Sequence, residues 1–190
     1  MVTRRRVVRR CVGTLCVLLA GCGTGEAGTA PPGPGGNAIV VRPVDGDTLV
    51  VEVEGTEERL RLIGIDTPES VAQDRPVECY GPESKARTAE LLPAGTAVTI
   101  ERDVEARDRY GRLLGYVTRA DDGLSVNLVL VEEGAAIARS YPPNTTRDGE
   151  LRAAQSRARS EGRGLWGACG GPDVPLRRSR RPVEPVACAA

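Results

Sequence analysis

Residues 61–69 have the sequence RLIGIDTPE. The apolar residues of this stretch are typical of a strand, and the proline is typical of the turn that ends it. Arg61, Asp66 and Glu69 add three charged side chains within nine residues. Because a strand end needs less charge than this to be soluble, we expect the stretch to supply both a core strand and the functional groups beside it.

Short β-rich segments and helices lie on either side of this stretch. Strand propensity and turn residues predict five strands, at residues 39–44, 49–54, 58–65, 94–102 and 112–118. Helix-start and helix-stop residues predict three helices, at residues 81–92, 125–134 and 146–161. The sequence therefore predicts an α+β fold, an OB-fold in which a five-stranded antiparallel β-barrel carries three α-helices.

The chain of 190 residues contains no histidine. Without imidazole it cannot form a Ser-His or Cys-His nucleophile pair or a histidine-ligated zinc site. Acid-base chemistry would have to come from carboxylates. A bound metal would be a hard cation held by oxygen ligands.

The charge of the chain is unevenly distributed. It has 26 basic and 26 acidic residues, but nine of the arginines lie in residues 1–21 and 170–190. The middle of the chain is therefore net acidic. This argues against a general nucleic-acid binder, because non-specific attraction to phosphates requires a basic face.

Residues 1–22 combine an arginine-rich start, a short apolar run and the sequence Leu-Ala-Gly-Cys at 19–22. This arrangement predicts a bacterial lipoprotein signal peptide, with Cys22 as the lipidated first residue of the mature chain. A plain secretory signal cut nearby is the alternative, and the arginines at 4–6 also resemble a twin-arginine export signal. In each case we expect an exported protein, lipid-anchored on the outer face of the bacterial cell membrane or released extracellularly.

The remaining segments divide by composition. Residues 22–36 comprise the lipidated Cys22 and a stretch rich in glycine and proline, which predicts a flexible tether. Residues 37–169 are long enough to form one domain. Residues 170–190 alternate proline with arginine, which predicts a disordered tail, with a nucleic-acid or cell-wall binding arm as the alternative.

Three cysteines would remain unmodified after export and lipidation: Cys79, Cys169 and Cys188. Outside the cytoplasm a pair is expected to oxidise. We predict a Cys79–Cys169 disulfide. The alternatives are a Cys79–Cys188 disulfide and free thiols.

The predicted hairpin around Glu54 and Gly55 brings carboxylates together. If the turn is centred between Gly55 and Thr56, Asp45 lies opposite Asp66 and Asp47 lies opposite Gly64. Three carboxylates would then meet at one end of the hairpin. Like charges this close repel, and they persist most readily where a cation holds them together.

Arg61 reaches the same site only if the strand is irregular. Arg61 and Asp66 are five residues apart, so a regular strand would place them on opposite faces. Gly64 lies between them and could host a bulge or twist that changes the alternation. We therefore predict an irregularity at Gly64.

Several motifs that are weak alone occur in a fixed order. They are Val44-Asp45-Gly46-Asp47-Thr48, the stretch at 61–69, Tyr80-Gly81-Pro82-Glu83, Asp108-Arg109-Tyr110-Gly111-Arg112, Val126-Asn127, Tyr141-Pro142-Pro143-Asn144 and Leu165-Trp166. Singly they are typical of turns, charged loops and helix starts. Together they resemble the staphylococcal-nuclease-like (thermonuclease) family over essentially all of residues 37–169.

The resemblance implies an OB-fold with three helices and a calcium-dependent phosphodiesterase that cleaves DNA and RNA to 3′-phosphate ends. It implies calcium ligation by the carboxylates of Asp47 and Asp66 and the carbonyl of Thr67, with Asp45 in the surrounding shell. It also implies that Glu69 activates the attacking water.

Further roles follow from the same resemblance. Arg61 and Arg112 would clamp the scissile phosphate, a role that suits the planar guanidinium group. Arg109, Tyr110 and Tyr141 would line the nucleotide pocket, with packing at the barrel rim as the alternative for the tyrosines. Arg139 stands where well-known relatives carry tyrosine, so base stacking is not expected there. We expect a monomer with DNA and RNA as substrates; the alternative is a catalytically silent OB-fold lipoprotein that binds nucleic acid or protein.

Overall fold

Five of the strands close into a barrel in this computed structural model, which describes residues 36–70 and 76–176. The strands are β1 Ala38–Asp45, β2 Thr48–Val53, β3 Thr56–Leu62, β4 Ile65–Asp66, β5 Ala97–Glu101, β6 Leu113–Arg119 and β7 Ile137–Ala138. The helices are α1 Gly81–Leu91, α2 Val126–Glu132, α3 Asp148–Ser160 and α4 Leu165–Ala168. The barrel order is β1-β2-β3-β6-β5, and β4 pairs separately with β7. The predicted α+β OB-fold is confirmed.

One strand pair of the barrel differs from the prediction. Strands β3 and β6 run parallel, with Arg61 beside Leu114, while the other four pairs are antiparallel. The reason is topological. Directions cannot alternate around a closed ring with an odd number of strands, so at least one pair must be parallel. The barrel is therefore mixed rather than fully antiparallel.

The β2–β3 hairpin turns at Glu54 and Gly55, which have φ angles of 51° and 78°. Positive φ at both central residues is the conformation of a type I′ hairpin turn. It pairs Val53 with Thr56 and Thr48 with Arg61. The predicted register was wrong by two residues, because the turn is centred between Glu54 and Gly55 and not one residue later.

The strand predicted at residues 58–65 is interrupted at Gly64, where φ is 76°. The chain leaves the barrel after β3 and enters a separate two-stranded sheet. In this sheet Ile65 pairs with Ala138 and Asp66 pairs with Ile137. The predicted irregularity at Gly64 is confirmed. The small β4–β7 sheet was not predicted, since each of its strands has only two residues.

We expect the substitution Gly64→Ala to lower the free energy of unfolding by about 1–3 kcal/mol. A Cβ at this position would lie 2.5 Å from Leu151 Cδ1, and the positive φ disfavours any side chain. Urea denaturation would measure the change. The matched control is Gly149→Ala on α3, where a Cβ meets nothing within 4 Å. Equal stabilities of the two variants would contradict the strain at Gly64.

The helices begin and end close to the predicted positions. Helix α1 has proline in its first turn, as predicted, and α2 follows Ser125. Helix α3 begins at Asp148 and not at Thr146, because Thr146 donates its N–H and hydroxyl hydrogen bonds to the Asp103 carboxylate. The four-residue helix α4 was not predicted. None of the helices in the described part of the chain is long and apolar enough to cross a membrane.

The core is built from aliphatic side chains and one buried tyrosine. Its largest fully buried members include Leu49, Leu60, Leu62, Tyr116 and Leu130. A buried amide also connects the layers. Asn127 on α2 accepts a hydrogen bond from Val117 N and donates one to Ile63 O, both at 2.9 Å. This contact holds the end of the 61–69 stretch against the helical layer.

The predicted Cys79–Cys169 disulfide is present and joins residues 90 apart in sequence. The chain continues in contact with the domain beyond it: Cys79 N donates to Val174 O at 2.7 Å, and Leu176 N donates to Val77 O at 2.8 Å. Ordered structure therefore extends past the predicted boundary at 169. The signal peptide, Cys22, most of the tether and residues 177–190 with Cys188 lie outside the described residues.

Candidate active site

Arg61 lies between two carboxylates at the end of β3. Its Nη1 forms an ion pair with Asp47 Oδ1, and its Nη2 lies 2.7 Å from Asp66 Oδ1. The hairpin places Arg61 opposite Thr48, next to Asp47, and the turn at Gly64 brings Asp66 back toward the guanidinium. One guanidinium therefore connects the turn between β1 and β2, which carries Asp47, to strand β4, which carries Asp66.

Asp47 is almost completely buried, with 3% of the residue exposed. Its Oδ1 accepts a hydrogen bond from Thr48 Oγ1, and its Oδ2 accepts hydrogen bonds from both N and Oγ1 of Thr67 at 3.2 Å. Burial raises the pKa of Asp47, against the opposing influence of Arg61 and the Thr67 N–H. The carboxylate depends on Arg61 for its counter-charge.

The turn that carries Asp47 packs closely on Thr67. A Cβ at Gly46 would lie 2.6 Å from Thr67 Oγ1, so this approach requires glycine. The carbonyl of Gly46 accepts a hydrogen bond from buried Thr88 on α1 at 2.6 Å. Helix α1 thereby fixes the position of the turn against the residues that follow β4.

Asp66 is shared by two arginines. Its Oδ1 faces Arg61, and its Oδ2 accepts a hydrogen bond from Arg139 Nη1 at 2.6 Å. The hydroxyl of Tyr141 lies 3.5 Å from both Arg61 Nη2 and Asp66 Oδ1. Arg139 is 73 residues from Asp66 in sequence and comes near it through the β4–β7 pairing. Sequence reasoning missed this contact, for which there is no local signal.

Asp45 does not join this pair of carboxylates around Arg61. Its Oδ1 accepts hydrogen bonds from Gly46 N at 2.8 Å and Ser70 Oγ at 2.5 Å. Within residues 36–70 and 76–176 no group of three or more acidic or cysteine side chains is placed to hold a metal ion. The predicted meeting of three carboxylates is therefore wrong, because Asp45 closes its own turn while Asp47 points to Arg61.

Glu69 lies where the site meets the start of α1. Its N–H donates to Glu78 Oε2 at 3.0 Å, and its carbonyl accepts from Glu78 N at 2.9 Å. Gly81 packs against the same carbonyl: a Cβ there would lie 2.2 Å from Glu69 O. The backbone of Glu69 is thus fixed on both sides.

Arg112 belongs to a second group of side chains, on the loop before β6. Its Nε lies 2.7 Å from Asp108 Oδ2. Partial burial would raise the pKa of Asp108, but hydrogen bonds from the Arg112 side chain and N–H hold it below its usual value. The guanidinium carbons of Arg109 and Arg112 lie 4.8 and 5.6 Å from the Tyr110 ring centre, and Tyr110 is 69% exposed. Because β6 runs beside β3, this loop enters the barrel next to the strand of Arg61.

Comparisons with known proteins show the family to which this chain is related. A family profile described as "Staphylococcal nuclease homologue" matches residues 59–168. The thermonuclease of Staphylococcus intermedius is 39% identical over 132 residues, which cover 70% of this chain and 77% of that protein. The chain belongs to the staphylococcal nuclease family.

Other relatives carry similar names. The thermonuclease of Staphylococcus hyicus is 38% identical, over 67% of this chain and 73% of that protein. Endonuclease YncB of Bacillus subtilis is 36% identical, over 70% of this chain and 63% of that protein. This member of the staphylococcal nuclease family is a nuclease, a hydrolase that acts on nucleic acids.

Two groups of side chains contain most of the predicted site residues of this nuclease. The first holds Asp47, Arg61, Asp66, Thr67 and Tyr141, joined by the contacts described above. The second is the loop of residues 108–112, which carries Arg109, Arg112 and the exposed Tyr110. The chemical roles of these residues stay predictions.

Proposed function

We propose that this nuclease is a calcium-dependent phosphodiesterase that cleaves DNA and RNA and leaves 3′-phosphate ends. The observation that carries the proposal is the position of Arg61 between the carboxylates of Asp47 and Asp66. A guanidinium and two acidic side chains in contact with one another provide groups that phosphodiester hydrolysis requires, and Arg61 and Asp66 are partly exposed to solvent.

The oxygen atoms offered at this site are of the types that bind calcium. Asp47 and Asp66 offer carboxylate oxygens, and Thr67, whose N–H donates to Asp47, offers a backbone carbonyl. Hard cations prefer these ligands, and water would complete the shell since only two carboxylates share the site. Bound there, calcium would polarise the phosphodiester and offset its negative charge.

The arginines supply the remaining positive charge. Arg61 is 18% exposed at its side chain, and Arg112 is 28% exposed. Both guanidiniums keep N–H groups beyond those used in their ion pairs, and a phosphate can accept hydrogen bonds from such groups in pairs. We infer that Arg61 and Arg112 hold the scissile phosphate and stabilise the charge that develops on it.

Glu69 is proposed to take the proton of the attacking water. The chain has no histidine, and a carboxylate is ionised at neutral pH and can act as the general base. The backbone contacts to Glu78 and the close approach of Gly81 keep Glu69 beside the residues that follow Asp66. Attack that breaks the 5′ P–O bond would leave the phosphate on the 3′ end.

Nucleotide binding is proposed for the exposed aromatic and basic side chains. Tyr110 presents its ring between Arg109 and Arg112, and such a ring can stack with a base. Tyr141, 37% exposed, lies beside Arg61 and Asp66 and would contact the nucleotide next to the scissile phosphate. Arg139 adds a half-exposed cation at this edge.

The disulfide and the predicted signal peptide support an extracytoplasmic location. The Cys79–Cys169 disulfide is a feature of proteins that work in oxidising surroundings. The predicted lipoprotein signal and the lipidated Cys22 would place the nuclease on the outer face of the cell membrane. We propose that it acts there as a monomer.

Digestion of single-stranded DNA with calcium or with a chelator tests the proposal. We expect calcium to support cleavage and chelation to slow it by at least about tenfold, because the cation stabilises the transition-state charge. The products should carry 3′-phosphates, which block extension by a polymerase until a phosphatase removes them. Binding without calcium-dependent cleavage would instead support the alternative of a catalytically silent binding protein.

A further inference from the structure

The segment beyond the last helix forms one side of the candidate active site. Residues 172–176, here called the C-terminal strap, run antiparallel to residues 77–79. Hydrogen bonds connect the two backbones at Cys79–Val174 and Leu176–Val77. The strap is thus an added edge on the chain segment that leads into α1.

The strap also lines the site directly. Pro172 and Asp173 line a small depression together with Asp66, Thr67 and Glu78. Asp173 lies close enough to Arg139 to help raise the pKa of that guanidinium, after the larger influences of Asp66 and Tyr141. The strap is therefore next to the carboxylates of the first group and not on a remote face.

Glu78 connects the strap to Glu69. Its backbone forms a bridge with Pro175 of the strap. Its side-chain carboxylate accepts the Glu69 N–H at 3.0 Å, and its N–H donates to Glu69 O at 2.9 Å. A shift of residues 77–79 would move both hydrogen-bond partners of the Glu69 backbone.

The disulfide ties these segments covalently. Cys79 directly follows Glu78, and Cys169 lies three residues before the strap. With the disulfide intact, the strap cannot move far from residues 77–79. Without it, the backbone hydrogen bonds between strap and residues 77–79 would have to hold the strap against the entropy of a free chain end.

We propose that the C-terminal strap and the Cys79–Cys169 disulfide position Glu69 through Glu78, so that turnover of this nuclease requires the oxidised disulfide. The proposal rests on the proposed role of Glu69 as general base. Glu78 is a positioning residue in this scheme, since it acts through Glu69. A reduced chain in the cytoplasm would be a poor nuclease, and oxidation after export would complete the site.

The redox step is a simple exchange. A dithiol reductant transfers two electrons and two protons to the disulfide, the Cys79–Cys169 S–S bond breaks, and two thiols form. The reductant is converted to its own cyclic disulfide. Oxidation reverses the reaction and restores the Cys79–Cys169 disulfide.

The test compares steady-state kinetics of the full-length oxidised nuclease before and after reduction by a dithiol, with calcium present. We expect kcat to fall by at least about tenfold, because a small displacement of a catalytic group is costly, while KM changes by less than about threefold. Far-UV circular dichroism should show an intact fold, and reoxidation should restore kcat. The double variant C79S/C169S controls for other cysteines: it should be slow and insensitive to the reductant.

A matched pair of substitutions tests the connection through Glu78. Glu78→Ala removes the acceptor of the Glu69 N–H and should lower kcat as reduction does. Glu78→Gln keeps an oxygen acceptor and should retain most of the activity. Reduction of the disulfide in the Glu78→Ala variant should lower kcat little further, because the effects of residues that act as one unit are not additive.

Thiol counting would show that the disulfide is reduced. An unchanged kcat in the reduced nuclease would overturn the proposal, and so would a change in KM alone. Effects of reduction and of Glu78→Ala that multiply in the doubly altered nuclease would overturn it as well. If the reduced chain unfolds, the comparison of Glu78→Ala with Glu78→Gln tests the proposal: equal kcat values in the two variants would overturn it. An inactive Glu69→Gln variant together with harmless reduction refutes the strap proposal alone. An active Glu69→Gln variant refutes the assignment of Glu69 as base, whatever reduction does.

Discussion

The substitution Glu69→Gln is expected to reduce turnover on single-stranded DNA by at least about 100-fold, because a positioned general base contributes about 10² to 10⁴ in rate. Glutamine has nearly the same shape as glutamate but cannot accept the proton of the attacking water. The backbone contacts of residue 69 with Glu78 do not involve its side chain. The loss should therefore appear in kcat, with substrate affinity close to that of the unmodified nuclease.

The matched control is Glu83→Gln in the first turn of α1, an exposed position close in sequence to the site. This variant should cleave at the normal rate, and both variants should unfold at similar temperatures. Activity of Glu69→Gln within a few-fold of normal would remove Glu69 from the catalytic set.

The substitution Arg61→Ala is expected to lower turnover by at least about 100-fold, since removing one donor that stabilises transition-state charge costs about 3 to 4 kcal/mol. The same change leaves Asp47 and Asp66 without the guanidinium that they share. Steady-state cleavage assays at saturating calcium would measure the loss.

Stability should fall as well, in a pH-dependent way. Breaking a buried ion pair costs about 3 kcal/mol, because a charge is left without its partner. Burial already raises the pKa of Asp47 above its ordinary value of 3.8, and loss of the opposing Arg61 charge should raise it further. A folded-state pKa above the unfolded one favours the native state at low pH. The destabilisation should therefore be largest at neutral pH and shrink as the pH falls toward 3.8.

Two other substitutions make the Arg61 prediction specific. Arg61→Lys keeps one positive charge but lacks the planar group that reaches both carboxylates, so it should recover stability better than activity. Arg59→Ala changes an exposed arginine on the same strand and should alter neither quantity. A destabilisation of Arg61→Ala that is independent of pH would contradict the dependence of Asp47 on this counter-charge.

Much of the fold was predictable because the signals are local. Strand propensity and turn residues placed the barrel strands to within a few residues, and proline at the start of residues 81–92 placed α1. The hairpin register could not be obtained in this way. It depended on which two residues adopt positive φ, and Glu54 is an unusual choice for that conformation.

The candidate site was predictable in its membership and less so in its contacts. Arg61, Asp47 and Asp66 were expected together, and the irregularity at Gly64 that brings them together was expected too. Asp45 was wrongly expected in the same cluster, since its hydrogen bonds to Gly46 and Ser70 compete with that placement. The Arg139–Asp66 ion pair joins residues 73 apart and forms only when β7 pairs with β4.

The amino-acid sequence was sufficient to predict the OB-fold and to name the arginine and carboxylate candidates for the site, because propensities, turn residues and motifs depend on residues close together in the chain. It also favoured the Cys79–Cys169 pair, because these are two of the three cysteines expected to remain unmodified after export. The folded molecule was needed to show that Arg61 is shared by Asp47 and Asp66, that the barrel closes through a parallel pair, and that the C-terminal strap lies beside Glu78. These contacts join distant parts of the chain. They depend on strand register and barrel closure, which the cooperative packing of the whole domain sets.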